Sequence, residues 1–306
     1  MPRISDLGFQ QILLQSFQRV QNAAQEHQIQ LSSGKISQAY SGVGASTNRL
    51  LSAEGVISRA TAYEDAATVA ATRLQTQEAA ITNVTDVLTG LRQRFVAVLA
   101  TGSAELLTPE LETAAQRILS SLNTQLGGVY IFGGSDGTAK PVGASSLADI
   151  GAAADPNDLF DPTASHLRLA VEEGTTIDGG PLAQEIGADL MALLHDFANA
   201  PATLGPFNGE LTAQQRDFIV AKVAELDAVA ADLNAALGVN GIAQAQTDAA
   251  TARNIQRRNL AEQIASGIED IDIAEAVARL AQDQIAVEAS ARALAQATQL
   301  SLLNYI

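Results

Sequence analysis

Cysteine and tryptophan are absent from these 306 residues. Without cysteine there is no disulfide, no thiolate nucleophile and no Cys-ligated metal. The compartment stays open, because a cysteine-free chain suits either side of a membrane. Aromatic side chains make up only 4% of the chain, so small residues must carry much of the helix packing and allow slender, close contacts. Basic residues are also scarce. Lys and Arg number 18 against 34 Asp and Glu, a formal net charge of −16. No basic run of the kind that tracks phosphates occurs, which argues against nucleic acid or an anionic membrane as partner. No stretch approaches the roughly 20 apolar residues that span a bilayer. The first residues, Met1 to Gly8, lack the apolar stretch of a secretory signal. Any export is therefore expected to use a route without a cleaved signal peptide.

What is present is helix-forming. The chain is 47% hydrophobic and rich in Ala and Gln, with Ser and Thr also abundant. From about Gln10 to Leu31, the residues Leu13, Phe17, Val20, Ala24, His27 and Leu31 recur at alternating spacings of four and three. That is the seam of a coiled coil, where every third or fourth residue meets a partner helix. Ser32-Ser33-Gly34 breaks it, with Gly34 a candidate C-cap. A loop runs through Gly42 and Gly44, and a long proline-free helix follows from about Asn48 to Ala100, with Gly55 and Gly90 its weak points. Thr108-Pro109-Glu110 signals a third helix start. This helix is expected to reach Leu126 and stop at Gly127-Gly128.

The texture then changes. Val129-Tyr130-Ile131-Phe132 is β-prone and precedes the turn cluster Gly133-Gly134-Ser135-Asp136-Gly137. His166 to Val171 alternates, Glu172-Glu173-Gly174 turns and Thr175-Thr176-Ile177 returns, which predicts a hairpin. A short helix is expected from Pro181 to Ala198. Thr212 and Gln215 form a capping box that opens a helix to about Ala265, with a break near Gly238 and Gly241. The last segment restarts near Asp272. There Ile273, Val277, Leu280, Gln284, Val287, Ala291, Leu294 and Thr298 repeat the four-three spacing.

The expected fold is mainly α: a long antiparallel helical bundle with terminal coiled-coil helices and a small α+β insertion domain. Residues 1–45 and 268–306 form the assembly domain, 46–134 and 210–267 a helical rod, and 135–209 the outer insertion. First and last helices pair, with both termini at one end. A two-helix unit buries one stripe only, yet the C-terminal segment carries more apolar residues, such as Ile285, Ala289 and Leu302. Extra apolar surface calls for further partners, and a ring or filament of copies supplies them. The candidate assembly residues are Leu13, Phe17, Val20, Ala24, Leu31, Ile273, Val277, Leu280, Val287, Leu294, Leu302 and Leu303. The alternative is that the terminal helices complete a monomer by packing on the inner ones.

Patterns for chemistry are weak. His27, His166 and His195 share no metal-ligand spacing, and His27 lies on the seam. His195 beside Asp196 is expected at the surface. No Gly-x-Ser-x-Gly elbow supports a serine nucleophile. The Gly133 to Gly137 cluster lacks the Lys-Ser/Thr of a phosphate loop and reads as a turn. Asp155, Asp158 and Asp161 are a weak calcium candidate without EF-hand spacing. Asn83-Val84-Thr85 matches the glycosylation pattern but falls inside a predicted helix. Glu269, Asp270 and Asp272 are expected to cap and charge the start of the last helix rather than act as catalytic carboxylates. No catalytic, cofactor or metal site is assigned.

Two blocks carry a resemblance. Leu31-Ser32-Ser33-Gly34-Lys35 closes the N-terminal seam helix, and the run from Ser266 to Val277, Ser-Gly-Ile-Glu-Asp-Ile-Asp-Ile-Ala-Glu-Ala-Val, opens the last one. Their order and separation are similar to those of the flagellin superfamily, over roughly the first 130 and last 95 residues. Ile36 to Gly44 departs from the family, which usually continues with a basic residue and later a pair of acids. Gly127-Gly128-Val129-Tyr130-Ile131-Phe132-Gly133-Gly134 and the ending Ser301-Leu302-Leu303-Asn304-Tyr305-Ile306 resemble the hook–filament junction members more than filament flagellins. The resemblance implies a structural subunit, exported unfolded, with a flagellar export chaperone on its C-terminal helix. It also implies a ring of copies between hook-associated protein 1 and flagellin. Within this class, a flagellin that forms the filament itself stays open. A ligand-binding or enzymatic insertion on a helical stalk, and a coiled-coil needle or adhesin component, are readings of other classes. Lone seam helices are marginal in water, so the ends are expected to gain order on packing.

Overall fold

The computed structural model describes residues 3–303, with side chains at 8, 9 and 11–296. Among the described residues the order is α1 (Arg3–Ser33), α2 (Thr47–Thr101), α3 (Leu107–Leu122), β1 (Gln125–Leu126), β2 (Val129–Tyr130), α4 (Leu147–Ala152), β3 (Arg168–Glu172), β4 (Thr175–Asp178), α5 (Ala183–Leu204), α6 (Ala213–Glu269) and α7 (Ile273–Leu303). The fold is a mainly α helical bundle with a small α+β insertion, as expected. It divides into two compact units, residues 1–58 with 257–306, and residues 59–256.

In the larger unit, α2 buries Ile81, Val84, Leu88, Leu91, Phe95 and Val98, an unbroken four-three stripe. On α6 the same spacing buries Leu226, Val229 and Leu233. Polar side chains occupy other buried α6 positions and are satisfied there. Asn240 donates to the Leu74 carbonyl at 3.0 Å, and the buried Lys222 pairs with Asp196 at 2.5 Å, while Arg92 and Asp227 pair at 2.6 Å on the exposed face. The phenylalanines, few as they are, concentrate. Phe197 lies 4.8 Å from Phe95 and 5.1 Å, edge to face, from Phe218.

The insertion packs onto this stripe. The hairpin β3–β4 sits in the expected place, with Leu169 opposite Ile177. Its Val171 and Ile177 are buried against Ala67, Ala70, Leu74, Ala243 and Ala250. Arg253 grips Glu172 at 2.7 Å, and Asn254 donates to the Val171 carbonyl at 2.8 Å. The Thr212–Gln215 capping box forms reciprocally, at 3.1 and 3.2 Å.

Several boundaries differ from expectation. Helix α3 begins at Leu107, ahead of the Thr108-Pro109 signal, because Leu107 is fully buried and draws the first turn into the core. It ends at Leu122 rather than Leu126, and Gln125-Leu126 pairs instead with Val129-Tyr130. The two residues between them, Gly127 and Gly128, both have positive φ, +61° and +84°. That is the two-glycine turn whose twist suits a tight hairpin. Helix α6 runs unbroken through Gly238 and Gly241, because tertiary packing outweighs the roughly 1 kcal/mol each glycine costs in a helix. Helix α5 continues to Leu204, and α4 was not anticipated. The signal for α4 stands in the sequence: the Ser146 hydroxyl accepts from the Asp149 amide at 3.1 Å, and Asp149 accepts from the Ser145 amide at 2.9 Å.

Candidate assembly interface

Helices α1 and α7 pair within the smaller unit. Leu13, Phe17, Val20, Ala24, His27 and Leu31 are all half-buried, while the positions between them are largely exposed. The N-terminal seam therefore faces a partner inside the chain. On α7 the register differs from the expected one. Ala276 is buried, and Leu280, Asp283, Val287, Ser290 and Leu294 are half-buried. Of the expected set, Leu280, Val287 and Leu294 lie on this seam. Ile273 and Val277 do not: they are exposed, as are Gln284 and Ala291. The stripe through Val277 and the stripe one position earlier both hold the four-three count, and it is Ala276 that is buried. The side chains of Leu302 and Leu303 lie outside the described ones, and Tyr305-Ile306 outside the described residues.

Near the junction end of the seam, the Nδ1 of His27 donates to the carboxylate of Asp283 at 2.5 Å, with about one fifth of each side chain exposed. The two blocks singled out in the sequence meet where α1 ends and α7 begins. Gly34 caps α1 with φ +72°, its amide bonded to the Gln30 carbonyl at 2.8 Å. Lys35 then forms an antiparallel bridge with Asp270. The Ile36 amide donates to Glu269 at 2.6 Å, and the Ile271 amide to Gly34 at 3.0 Å. The Lys35 ammonium pairs with the Glu269 carboxylate, which is largely buried. That hydrogen bond, and then the charge behind it, raise the Lys35 pKa above the ordinary lysine value. Asp272 caps α7, its Oδ1 accepting from the amides of Ala274 and Glu275 at 2.9 and 3.1 Å. Of the three acids expected to cap the helix, Asp272 does so. Glu269 instead ties the two blocks together, and Asp270 accepts from the Ser266 hydroxyl.

Comparison with known proteins bears on this junction. The bacterial flagellin N-terminal helical region matches residues 4–136, and the flagellin C-terminal helical region matches residues 223–306. The chain belongs to the flagellin superfamily. A search of curated proteins finds no match. Among solved structures, a chain described as a flagellar hook-associated protein from Vibrio parahaemolyticus is similar in fold, with a TM-score of 0.58 at 16% identity. The likeness covers 73% of this chain and 97% of that one. Flagellins are structural flagellar proteins, and the two flagellin segments contain both halves of the Gly34–Asp272 junction. Residues 137–222, which hold α4, β3, β4 and α5, fall outside them.

The same unit keeps apolar surface uncovered. Phe9 and Ile12 on α1 are exposed, as are Ile273 (66%) and Ile285 (70%) on α7. Ile273 and Val277 lie four apart and share one outer stripe, with Ile285 exposed to one side of it. A groove of about 500 Å³ opens between Ser52, Ala53 and Val56 of α2 and Leu260, Ala261 and Ile264 of α6, flanked by Arg49 and Arg257.

The candidates for chemistry take structural places. His166 lies between Glu185 at 3.0 Å and Asp178 at 3.5 Å, half exposed. His195 is partly buried rather than at the surface and donates to the Ala153 carbonyl at 3.1 Å, tying α5 to the end of α4. Asp155 and Asp161 accept from their own turns, at Asn157 and Thr163. Among the described residues no three His, Asp or Glu side chains are placed to hold a metal ion, and no helix is long and apolar enough to cross a membrane. Sequence reasoning missed two buried cations among the described residues, Lys222, which pairs with Asp196 and Glu225, and Arg73. Arg73 donates to the carbonyls of Gly179 and Ile131 at 3.1 and 2.5 Å, and Gln77 donates to the same two at 3.0 and 2.8 Å. Burial lowers the Arg73 pKa. This pair clamps the backbone just after β2 and just after β4, the two sides of the insertion.

Proposed function

We propose that this flagellin-superfamily chain is the hook–filament junction subunit, a member of the hook-associated protein 3 type. It acts as a structural protein, without enzymatic activity. Copies assemble as a ring between hook-associated protein 1 and the first flagellins. The observation that carries the reading is the compact insertion entered through the Gly127–Gly128 hairpin, in a fold that aligns with nearly the whole of a hook-associated chain. The uncovered stripe on α7 and the groove between α2 and α6 support assembly, because apolar surface of this extent is stabilised by covering it. The assembly surface in this reading is what the intrachain seam leaves uncovered, Ile273 and Val277 with Ile285, joined by Leu302 and Leu303, and residues 135–209, part of the larger unit, face outward. Export without a cleaved signal and a chaperone on α7 follow from the same assignment.

The decisive experiment is deletion of the gene in its bacterium. A junction subunit leaves complete hooks, no filament and flagellin spilled into the medium. A strain with hooks and no flagellin-like protein in medium or filament points instead to the filament subunit. That second reading rests on the match of both ends to flagellin helical regions. Seeded polymerisation of purified protein separates the two as well, since only a filament flagellin elongates.

A further inference from the structure

The α1·α7 seam is apolar or small along most of its length, and about two turns from its junction end it holds one hydrogen-bonded polar pair, His27 with Asp283. Burying a carboxylate is unfavourable unless a donor meets it, and a polar residue at one seam position is a known means of choosing partner and register. On the described seam of α1, His27 is polar, with the half-buried Gln30 beside it at the junction end, and on α7 only Asp283 and Ser290 are polar. Two α1 helices side by side set His27 against an apolar residue or a second imidazole. Two α7 helices set Asp283 against an apolar residue, a serine or a second carboxylate. A slip of one heptad, about 10 Å along the axis, moves Asp283 away from its donor and toward aliphatic neighbours.

We propose that the His27–Asp283 pair is a specificity element: it makes α1 select α7 rather than a like helix, and holds the two in one register. The Gly34–Asp272 junction fixes the pairing where α1 ends and α7 begins, and the pair extends that choice two turns back along α1. The geometry stands without the junction-subunit reading, which supplies only its biological use. In a growing ring, many identical α1 and α7 helices meet at high local concentration, and mispairing among them is the hazard the pair suppresses.

The natural absence of cysteine makes disulfide trapping a clean test. Counting from the His27–Asp283 contact along antiparallel helices, three residues back on α1 and four on along α7, Ala24 stands opposite Val287. The full chain is prepared with Ala24→Cys and Val287→Cys for the native register, and with Ala24→Cys and Leu280→Cys for a register one heptad off. Ala24→Cys alone reports α1 with α1 as a covalent dimer. Trapping under mild oxidation reads the populations even where pairing is transient. With His27 and Asp283 in place, the native-register product exceeds the shifted one, and the like-helix dimer, by about tenfold or more. In the background His27→Leu with Asp283→Leu, the helices stay paired, since leucine suits a seam, but the three products come within about threefold of one another. The swap His27→Asp with Asp283→His restores the original ratio. An unchanged ratio in the double-leucine background overturns the proposal. So does a ratio lost there and not restored by the swap, which assigns specificity to side-chain shape. Indiscriminate products in the natural background overturn it too. None of these outcomes bears on the deletion phenotype, so failure here leaves the junction reading standing.

Discussion

The two units use the same four-three spacing to different ends. In residues 59–256, Leu88 and Phe95 on α2 are 0% exposed, with α3, α5 and α6 supplying core residues around them. In the α1·α7 pair, the spacing leaves Phe17 and Leu280 only half-buried and puts Ile285 in solvent. One repeat is satisfied on every side, while the other is satisfied by a single partner. The difference teaches that periodicity marks a surface which needs a neighbour, while the number of neighbours decides whether it becomes a core or an interface.

The sharpest way to break this comparison is to truncate matched residues. Phe95→Ala should destabilise the larger unit by about 3–5 kcal/mol in urea unfolding. Phe17→Ala should cost the isolated subunit only about 1 kcal/mol, because little of its surface leaves water on pairing, and it should impair assembly far more than its effect on stability suggests. Equal losses in urea would remove the distinction. Next in size is the Arg73 clamp. Arg73→Met removes two donors from buried carbonyls and should cost about 1–3 kcal/mol. Amide exchange should accelerate chiefly around residues 125–131 and 168–180, and acceleration confined to α2 would show that the clamp does not hold the insertion.

Exchange also sharpens the comparison without mutation. In the free subunit, amides of residues 11–33 should exchange about a hundredfold or more faster than those of 81–98, since stability varies locally with burial. Slow exchange in residues 11–33 would mean that one partner suffices. The smallest effect expected is at Lys35. Its pKa is raised in the folded state by Glu269, so its contribution is complete below the ordinary lysine pKa near 10.5 and is lost as pH rises through the higher folded value. Solvent screens so exposed an amine, and the loss should be slight. It should vanish in Lys35→Met, and an alkaline loss that persists there would belong to another group.

Much of this was legible in advance because helices are written in local spacing. The span of α2 came within a residue of Thr47–Thr101, the Thr212 cap was readable from four residues, and the β3–β4 hairpin from its Glu-Glu-Gly turn. The seam on α1 was likewise readable, residue by residue. The seam on α7 was not, because two stripes one position apart both satisfy the same count. The choice of Ala276, Asp283 and Ser290 over Val277, Gln284 and Ala291 depends on what faces them.

The amino-acid sequence by itself determined where helices run, which stripes seek partners and that the two ends match one family's helical regions, since spacing, caps and motif blocks act over a few residues. Only the tertiary structure decided which stripe meets which. The Lys35–Glu269 bridge joins residues 234 apart, and the His27–Asp283 contact joins residues 256 apart. Such pairs are fixed by burial and complementary charge once the chain has folded back on itself, and local pattern holds no record of them.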